Sequence, residues 1–329
     1  MSMYESILDL VGNTPMVRLR TGMSETGPKA YVKLEFMNPT GSVKDRMALH
    51  IIRKAVRNGL LRPGDKVIDN TSGNTGASLA MVARVMNLHP VVTTPVKTSK
   101  EKIDLMRSFG AELIITPEVH HDDPESFYAV ARRLARENGW FDMDQYDSQD
   151  NVEAHYLTTG PEIWEQTGGR ITHFVCGIGT GGTFSGAVRY LKEQNPDIWA
   201  VAVDPEGSVF ADYIRDRREV EGHAYKVEGI GSDVLTKAMH IDTVDEVITV
   251  ADRDAFLRAR QISTDEGISA GGSSGAVAWA MEKVAGQAST DSLIVGIFAD
   301  SGIKYLSKCY SDDWMRQQGY LSKQEVKSE

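Results

Sequence analysis

The stretch His173-Phe-Val-Cys-Gly-Ile-Gly-Thr-Gly-Gly-Thr-Phe-Ser-Gly-Ala-Val-Arg-Tyr-Leu-Lys-Glu193 decides the fold. A short apolar run, His173 to Cys176, enters a glycine turn, and an amphipathic segment follows from Gly181 to Glu193. That is a strand whose end opens a helix. The same order recurs on both sides. Expected strands are Ala30 to Glu35, Lys66 to Asn70, Pro90 to Thr94, Glu112 to Thr116, Ala200 to Val203 and Leu293 to Phe298. Expected helices are Val43 to Asn58, Thr75 to Met86, Ser99 to Phe109, Pro124 to Asn138 and Arg253 to Glu266. Such alternation predicts an α/β protein whose sheets are open and mostly parallel, flanked by helices, with ligands gathered at the carboxyl ends of the strands.

Three turns at such ends carry polar chemistry. Gly179-Thr-Gly-Gly-Thr183 lets the backbone approach an anion, while free N–H groups and the helix dipole attract it, so it reads as a phosphate cradle or, more plainly, as a tight turn. Gly177, Gly179 and Gly182 also have the spacing GxGxxG, and Asp204 lies about where a ribose-binding acid would stand, which keeps a nicotinamide enzyme open. Asn70-Thr-Ser-Gly-Asn-Thr-Gly76 offers hydroxyls and an amide where the next helix starts, as a carboxylate site or an overdetermined cap. Ser269-Ala-Gly-Gly-Ser-Ser-Gly275 is the third, between two helical stretches.

Lys44, in Asn38-Pro-Thr-Gly-Ser-Val-Lys-Asp-Arg46, falls on the first turn of a helix. The dipole and Arg46 favour its uncharged amine, which suits a Schiff base, although a lone lysine at a helix start is usually a solvated charge. His120-His-Asp-Asp123 reads as a solvated turn, because four adjacent loop residues are not expected to converge as ligands, and no metal is expected. Cys176, ending an apolar strand, reads as a small core residue.

The 329 residues are 41% hydrophobic and 25% charged, enough for a sizeable core in one large domain or two packed lobes. A formal charge of -10 argues against a general grip on nucleic acid or anionic membrane and for small-molecule chemistry. Two scattered cysteines, Cys176 and Cys309, make no disulfide framework and fit a reducing cytoplasm. No run approaches the roughly 18 apolar residues of a membrane span, no leader is evident, and the polar end Ser322 to Glu329 is expected to fray.

Five motifs in one order, GNTP (12–15), NPTGSVKDR (38–46), TSGNTG (71–76), GTGGT (179–183) and GGSSG (271–275), resemble the fold-type II pyridoxal-phosphate enzymes, in the branch of cysteine synthase and cystathionine β-synthase. The resemblance runs from about Gly12 to Met315, and the nicotinamide reading recedes before it. Asp144-Gln-Tyr146, Ala154-His-Tyr156, Val203-Asp-Pro-Glu-Gly-Ser208, Val227-Glu-Gly-Ile-Gly231 and the run Leu306 to Met315 are nearer the cystathionine β-synthase catalytic core. No haem-ligating Cys and His extension and no regulatory repeats accompany it, so the resemblance extends to chemistry and not to regulation.

What the resemblance implies is specific. The fold would be tryptophan synthase β-like: two open, twisted, mostly parallel sheets, with residues 1–40 and 150–329 as a large cofactor lobe and 41–149 as a small mobile lobe. Lys44 would hold pyridoxal 5'-phosphate as a Schiff base and take the substrate α-proton. Asn74 would lie beside the ring hydroxyl, Gly179, Thr180, Gly181, Gly182 and Thr183 would hold the phosphate, and Ser273 would face the pyridine nitrogen. A neutral hydroxyl there does not keep the ring protonated, which favours β-elimination over transamination. Thr71, Ser72 and Thr75 with Gln145 would bind the amino acid carboxylate, alongside Tyr146 and Gly229. Glu228 would assist a poor leaving group as general acid. Ser232 departs from the tyrosine common in cystathionine β-synthases, which weakens homocysteine as second substrate, and Asp69-Asn70 departs conservatively from the usual Glu-Pro. The implied activity is replacement of the β-substituent of L-serine, O-acetylserine or O-phosphoserine by a thiol, giving cystathionine or cysteine. Alternatives are an amine nucleophile giving a 2,3-diaminopropionate-type product, and a catalytically weak binding or sensor protein. A homodimer is also implied, with Asp312 to Met315 either packing across its interface or forming a terminal helix on its own subunit.

Overall fold

The run Leu293–Phe298, LIVGIF, is buried along its whole length, as a strand covered on both faces must be. It lies inside the larger of two sheets. The computed structural model describes residues 3–71, 73–96 and 98–322, so Ser72 and the tail after Ser322 fall outside the described residues. The strands are β1 (Met16–Leu19), β2 (Lys29–Leu34), β3 (Lys66–Asn70), β4 (His89–Pro95), β5 (Glu112–Thr116), β6 (Phe141–Asp142), β7 (His173–Gly177), β8 (Trp199–Pro205), β9 (Glu246–Val250) and β10 (Leu293–Phe298). The α-helices are α1 (Lys44–Arg57), α2 (Asn74–Val85), α3 (Lys100–Ser108), α4 (Phe127–Asn138), α5 (Gln149–Leu157), α6 (Thr159–Thr167), α7 (Gly182–Gln194), α8 (Phe210–Asp216), α9 (Asp252–Glu266), α10 (Gly272–Ala285) and α11 (Asp312–Gln317).

Six strands run in the order β1-β2-β10-β7-β8-β9 and four in the order β5-β4-β3-β6. Among the strands of the described residues only β1 pairs antiparallel, with β2, and the other strand pairings are parallel. In the centre of the larger sheet Val295 stands in register with Tyr31 on one side and Phe174 on the other. Parallel neighbours need crossover helices, and those helices bury both faces. Phe174, Phe184 and Phe210 fill one side of the larger sheet, while Phe298, Val277 and Met281 fill the other. A separate core under the smaller sheet gathers Met47, Ile51 and Ile52 of α1 with Leu79 and Val82 of α2.

The expected mixed architecture with two parallel-rich sheets is what the chain forms, and the seven expected strands and the expected helices are present within a few residues. The helix expected from Pro124 starts later, at Phe127, because Ser126 caps it by accepting from the Ala129 N–H. Three strands (β1, β6, β9) and three helices (α5, α6, α8) went unread in the sequence.

The two sheets are stitched where their strands end. Ser42 bridges to Asp300 just past β10, and the Val43 N–H donates to the Ala299 carbonyl at 2.8 Å. That stitch delivers the start of α1 to the carboxyl edge of the larger sheet.

Candidate active site

Lys44 is the first residue of α1, where the helix dipole disfavours a cation. Burial pushes its amine down, against the pull of Asp300 and Cys176. No described residue forms an ion pair or hydrogen bond with its Nζ. Behind it, Arg46 is buried and donates twice to Glu35, at 2.7 and 2.8 Å, and twice to Glu162, at 2.7 Å each. Lys33, wholly buried, also meets Glu162 at 2.7 Å. This two-cation, two-acid cluster fastens α1 to β2 and α6.

Beneath Lys44 the end of β7 turns into α7. Gly181 has φ +89°, and a Cβ on it would stand 2.7 Å from the Met239 amide nitrogen. A Cβ on Gly179 would stand 2.9 Å from the Gly229 carbonyl oxygen. These glycines are steric necessities. Among the described residues none accepts from the N–H groups of residues 179–183, which leaves a row of donors at a helix start. Asn151 donates to the Thr180 hydroxyl at 3.0 Å, and His155 pairs with the Thr183 hydroxyl at 3.1 Å. Burial pushes His155 down to about 3, so its ring is neutral.

At the end of β3 the loop to α2 is closed on itself. The Thr71 hydroxyl accepts from the Gly73 N–H at 3.1 Å, the Thr75 hydroxyl donates to Gln145 Oε1 at 2.7 Å, and Gln145 Nε2 donates to the Asn70 carbonyl at 2.8 Å. Ser72 belongs to this loop but lies outside the described residues. Lys44, Thr71, Thr75, Gln145, Gly179 and Thr180 line one cavity of about 690 Å³. Asn74, Tyr146, Glu228 and Gly229 line it too. Gly181 and Thr183 join Lys44 in an adjoining cleft, with Ser273 buried on the first turn of α10. Gly182 begins α7 against Asn151.

Glu228, the expected general acid, has two cationic partners. Its carboxylate is bracketed by Lys102 of α3 and Lys308, and although burial opposes ionisation, the two ammonium groups prevail and hold the carboxyl below its usual range. In the ionised form favoured here the carboxylate accepts from both ammonium groups. The expectation for the His120 turn is corrected: ligand atoms of His120, His121 and Asp122 do converge, within 4.8 Å of one another, at the exposed cavity rim. Asp204, the acid that kept a nicotinamide enzyme open, is turned into its own loop, where it accepts from the Ala211 N–H at 2.9 Å. Cys176 is a buried thiol pushed up to about 12, a core residue.

Several site residues were not anticipated. Asn151 and His155 were missed because α5 buries polar side chains. Lys102, Asp300 and Lys304 carry no local motif, Lys308 lies in a run to which no site role was given, and all four reach the site only through the fold.

An unpaired amine that faces a row of free N–H groups at one helix start and a hydroxyl loop at another defines an enzyme that anchors an anionic cofactor through a lysine. The donors fit a phosphate and the amine fits an aldehyde. The sequence profile of the family described as "Pyridoxal-phosphate dependent enzyme" matches residues 7–300, and the chain belongs to that family. It is 41% identical over 325 residues to cystathionine beta-synthase of Oryctolagus cuniculus, covering 97% of this chain and 59% of that relative. It is 38% identical over 320 residues to cystathionine beta-synthase of Dictyostelium discoideum, covering 96% of this chain and 64% of the relative. The chain thus spans about three-fifths of the length of the curated relatives it matches. Among solved structures, O-ureido-L-serine synthase superposes with a TM-score of 0.87 at 33% identity, covering 96% of this chain and 100% of that one. The cofactor of that family is pyridoxal phosphate, and the protein is a pyridoxal-phosphate-dependent enzyme. No helix among the described residues is long and apolar enough to cross a membrane.

Proposed function

We propose that this chain replaces the β-substituent of L-serine, or of an O-activated serine such as O-acetylserine or O-phosphoserine, with a thiol, giving cystathionine or cysteine. The observation that carries the reading is a shared space: the unpaired Lys44 amine, Gly179 and Thr180 of the free N–H row and the Thr71, Thr75 and Gln145 polar groups line one cavity, and Gly181 and Thr183 join Lys44 in the cleft beside it. Pyridoxal phosphate, when bound, supplies the electron sink that makes the α-proton of an amino acid removable. The N–H groups of residues 179–183 would hold its phosphate, and Asn74 and Ser273 would offer polar groups to its ring. Thr71, Ser72, Thr75 and Gln145 take the substrate carboxylate, with Thr75 and Gln145 exchanging their mutual bond, and Thr71 its bond from Gly73, for bonds to the anion. Tyr146 and Gly229 complete that wall. Lys44 Nζ, whose burial disfavours the charged form, takes the α-proton. Glu228 fixes Lys102 and Lys308 at the wall as their counter-ion.

Residues 41–149 act as the small lobe that closes over the substrate and excludes water, against a large lobe of 1–40 and 150–329. The working form is a homodimer in the cytoplasm. The names of the relatives, cystathionine beta-synthase and O-ureido-L-serine synthase, both denote makers of β-substituted amino acids and support the reaction class. A second reading, an amine nucleophile, is favoured by the outer part of the cavity, where Tyr128, Tyr146 and Tyr225 surround Asp233 and suit a cationic or amine partner.

The test is a spectral titration of the cofactor-loaded protein with L-serine, O-acetylserine and O-phosphoserine in turn, followed by thiols or amines. One donor is expected to change the visible band and one nucleophile class to restore it. A wild-type band that no donor changes, or a Lys44→Ala variant that keeps both band and turnover, overturns the reading.

A further inference from the structure

Asn74 is gripped at both ends of its amide by residues that follow β10. Its Nδ2 donates to Asp300 Oδ2 at 2.8 Å, and its Oδ1 accepts from Lys304 Nζ at 2.7 Å. Lys304 also donates to the Gly41 carbonyl at 3.2 Å, in the turn that delivers Lys44. One ammonium therefore joins three segments, at residues 41, 74 and 304, that belong to different parts of the chain. Asp300 is fixed in turn by the Tyr305 hydroxyl at 2.6 Å.

An asparagine amide has two orientations of nearly equal shape and opposite polarity. With a carboxylate on one side and an ammonium on the other, only one of them is satisfied. The flipped amide would aim N–H groups at Lys304 and its oxygen at Asp300. In the satisfied orientation Nδ2 spends one N–H on Asp300 and keeps the second, at the wall of the cavity that Lys44 opens on. We propose that Lys304 is a positioning residue of the cofactor site: it locks the Asn74 amide so that the spare N–H is always the group offered to the cofactor ring.

The inference rests on the reading that Asn74 belongs to the cofactor site. Lys304 is surrounded by Asp300 and Asp45, which attract it, and by Lys102 and Lys44, which repel it. It is thus a costly cation to keep, and burial pushes its amine down. A role in fold stability alone would be met by any side chain that fills the space.

The experiment compares cofactor retention of the loaded enzyme on dilution for wild type, N74A, K304M, K304Q and K304N, with thermal melting as the control for folding. Glutamine is one atom shorter than lysine and still carries an N–H to the Asn74 oxygen; asparagine is two atoms shorter and falls away. K304M and K304N are expected to weaken retention about tenfold, the equivalent of one lost hydrogen bond to a fixed group, and K304Q by less than about threefold. In an N74A background K304M should add nothing, since a residue that acts through Asn74 has no further effect once Asn74 is gone. If N74A alone retains cofactor like wild type, the placement of Asn74 is wrong. If N74A weakens retention but K304M does not, or the two effects add in full, or K304Q and K304N behave alike, the positioning role is wrong. Should K304M not fold, the contrast of K304Q with K304N decides.

Discussion

Replacing Glu35 with glutamine tests how the Lys44 helix is held. Glu35 is fully buried and accepts from Arg46 Nε and Nη2, from Asn38 Nδ2 at 2.9 Å and from the Thr14 hydroxyl at 2.6 Å. Burial opposes its charge, but Arg46 and Lys33 prevail and hold the carboxyl at about 2 instead of 4.5. That preference for the ionised form is worth about 3 kcal/mol at neutral pH. The folded value is the lower one, so the stabilisation is complete above about 4.5 and is lost as pH falls toward 2. E35Q keeps the shape and removes the charge. Chemical denaturation followed by circular dichroism should show E35Q less stable than wild type by about 3 kcal/mol at pH 7, and by only about 2 kcal/mol at pH 3.5, where linkage has already consumed part of the wild-type advantage. Because Arg46 is two residues from Lys44, cofactor retention should fall in parallel. A loss below about 1 kcal/mol at pH 7, or a difference that does not narrow in acid, would refute the idea that this cluster anchors α1.

Two other outcomes follow from single positions. Gly181→Ala forces a Cβ against the Met239 main chain from a backbone at φ +89°; cofactor retention is expected to drop at least about tenfold with unchanged far-UV circular dichroism, from strain of roughly 1–2 kcal/mol. Asp204 is pushed up to about 7 by burial, and its Oδ1 meets no geometric hydrogen-bond partner among the described residues. The folded state binds this proton more tightly than the unfolded state, so wild-type stability declines as pH rises from about 4 to about 7; Asp204→Asn should escape that decline, matching wild type near pH 4 and exceeding it by up to about 4 kcal/mol at pH 8 in denaturation curves.

What the sequence revealed and what it hid divide along a physical line. Buried parallel strands announce themselves, as in the uninterrupted LIVGIF of β10, and so do helices that show one apolar face, such as α1. β1 and β9 are short outer strands carrying Arg18 and Glu246, too polar for that signal. The α5–α6 pair escaped because its inward positions include Asn151, His155 and Thr159, and because Gly160-Pro161 reads as a break. The glycine and hydroxyl turns were legible because each performs its chemistry with its own backbone.

Charge partners obey no such local rule, and this limits what any motif can say about a residue's role. Glu228 sits in a recognisable run, yet its protonation state is decided by Lys102 and Lys308, 126 and 80 positions away. Asn74 likewise sits in a recognisable loop, yet its amide is oriented by Lys304, 230 positions on. A carboxyl has its proton affinity set by the two ammonium groups placed against it, and an asparagine reads as a donor or an acceptor until its neighbours choose. Motif reading thus fixes which atoms are present at the site, while the direction in which protons move among them is set by the packing of the two sheets.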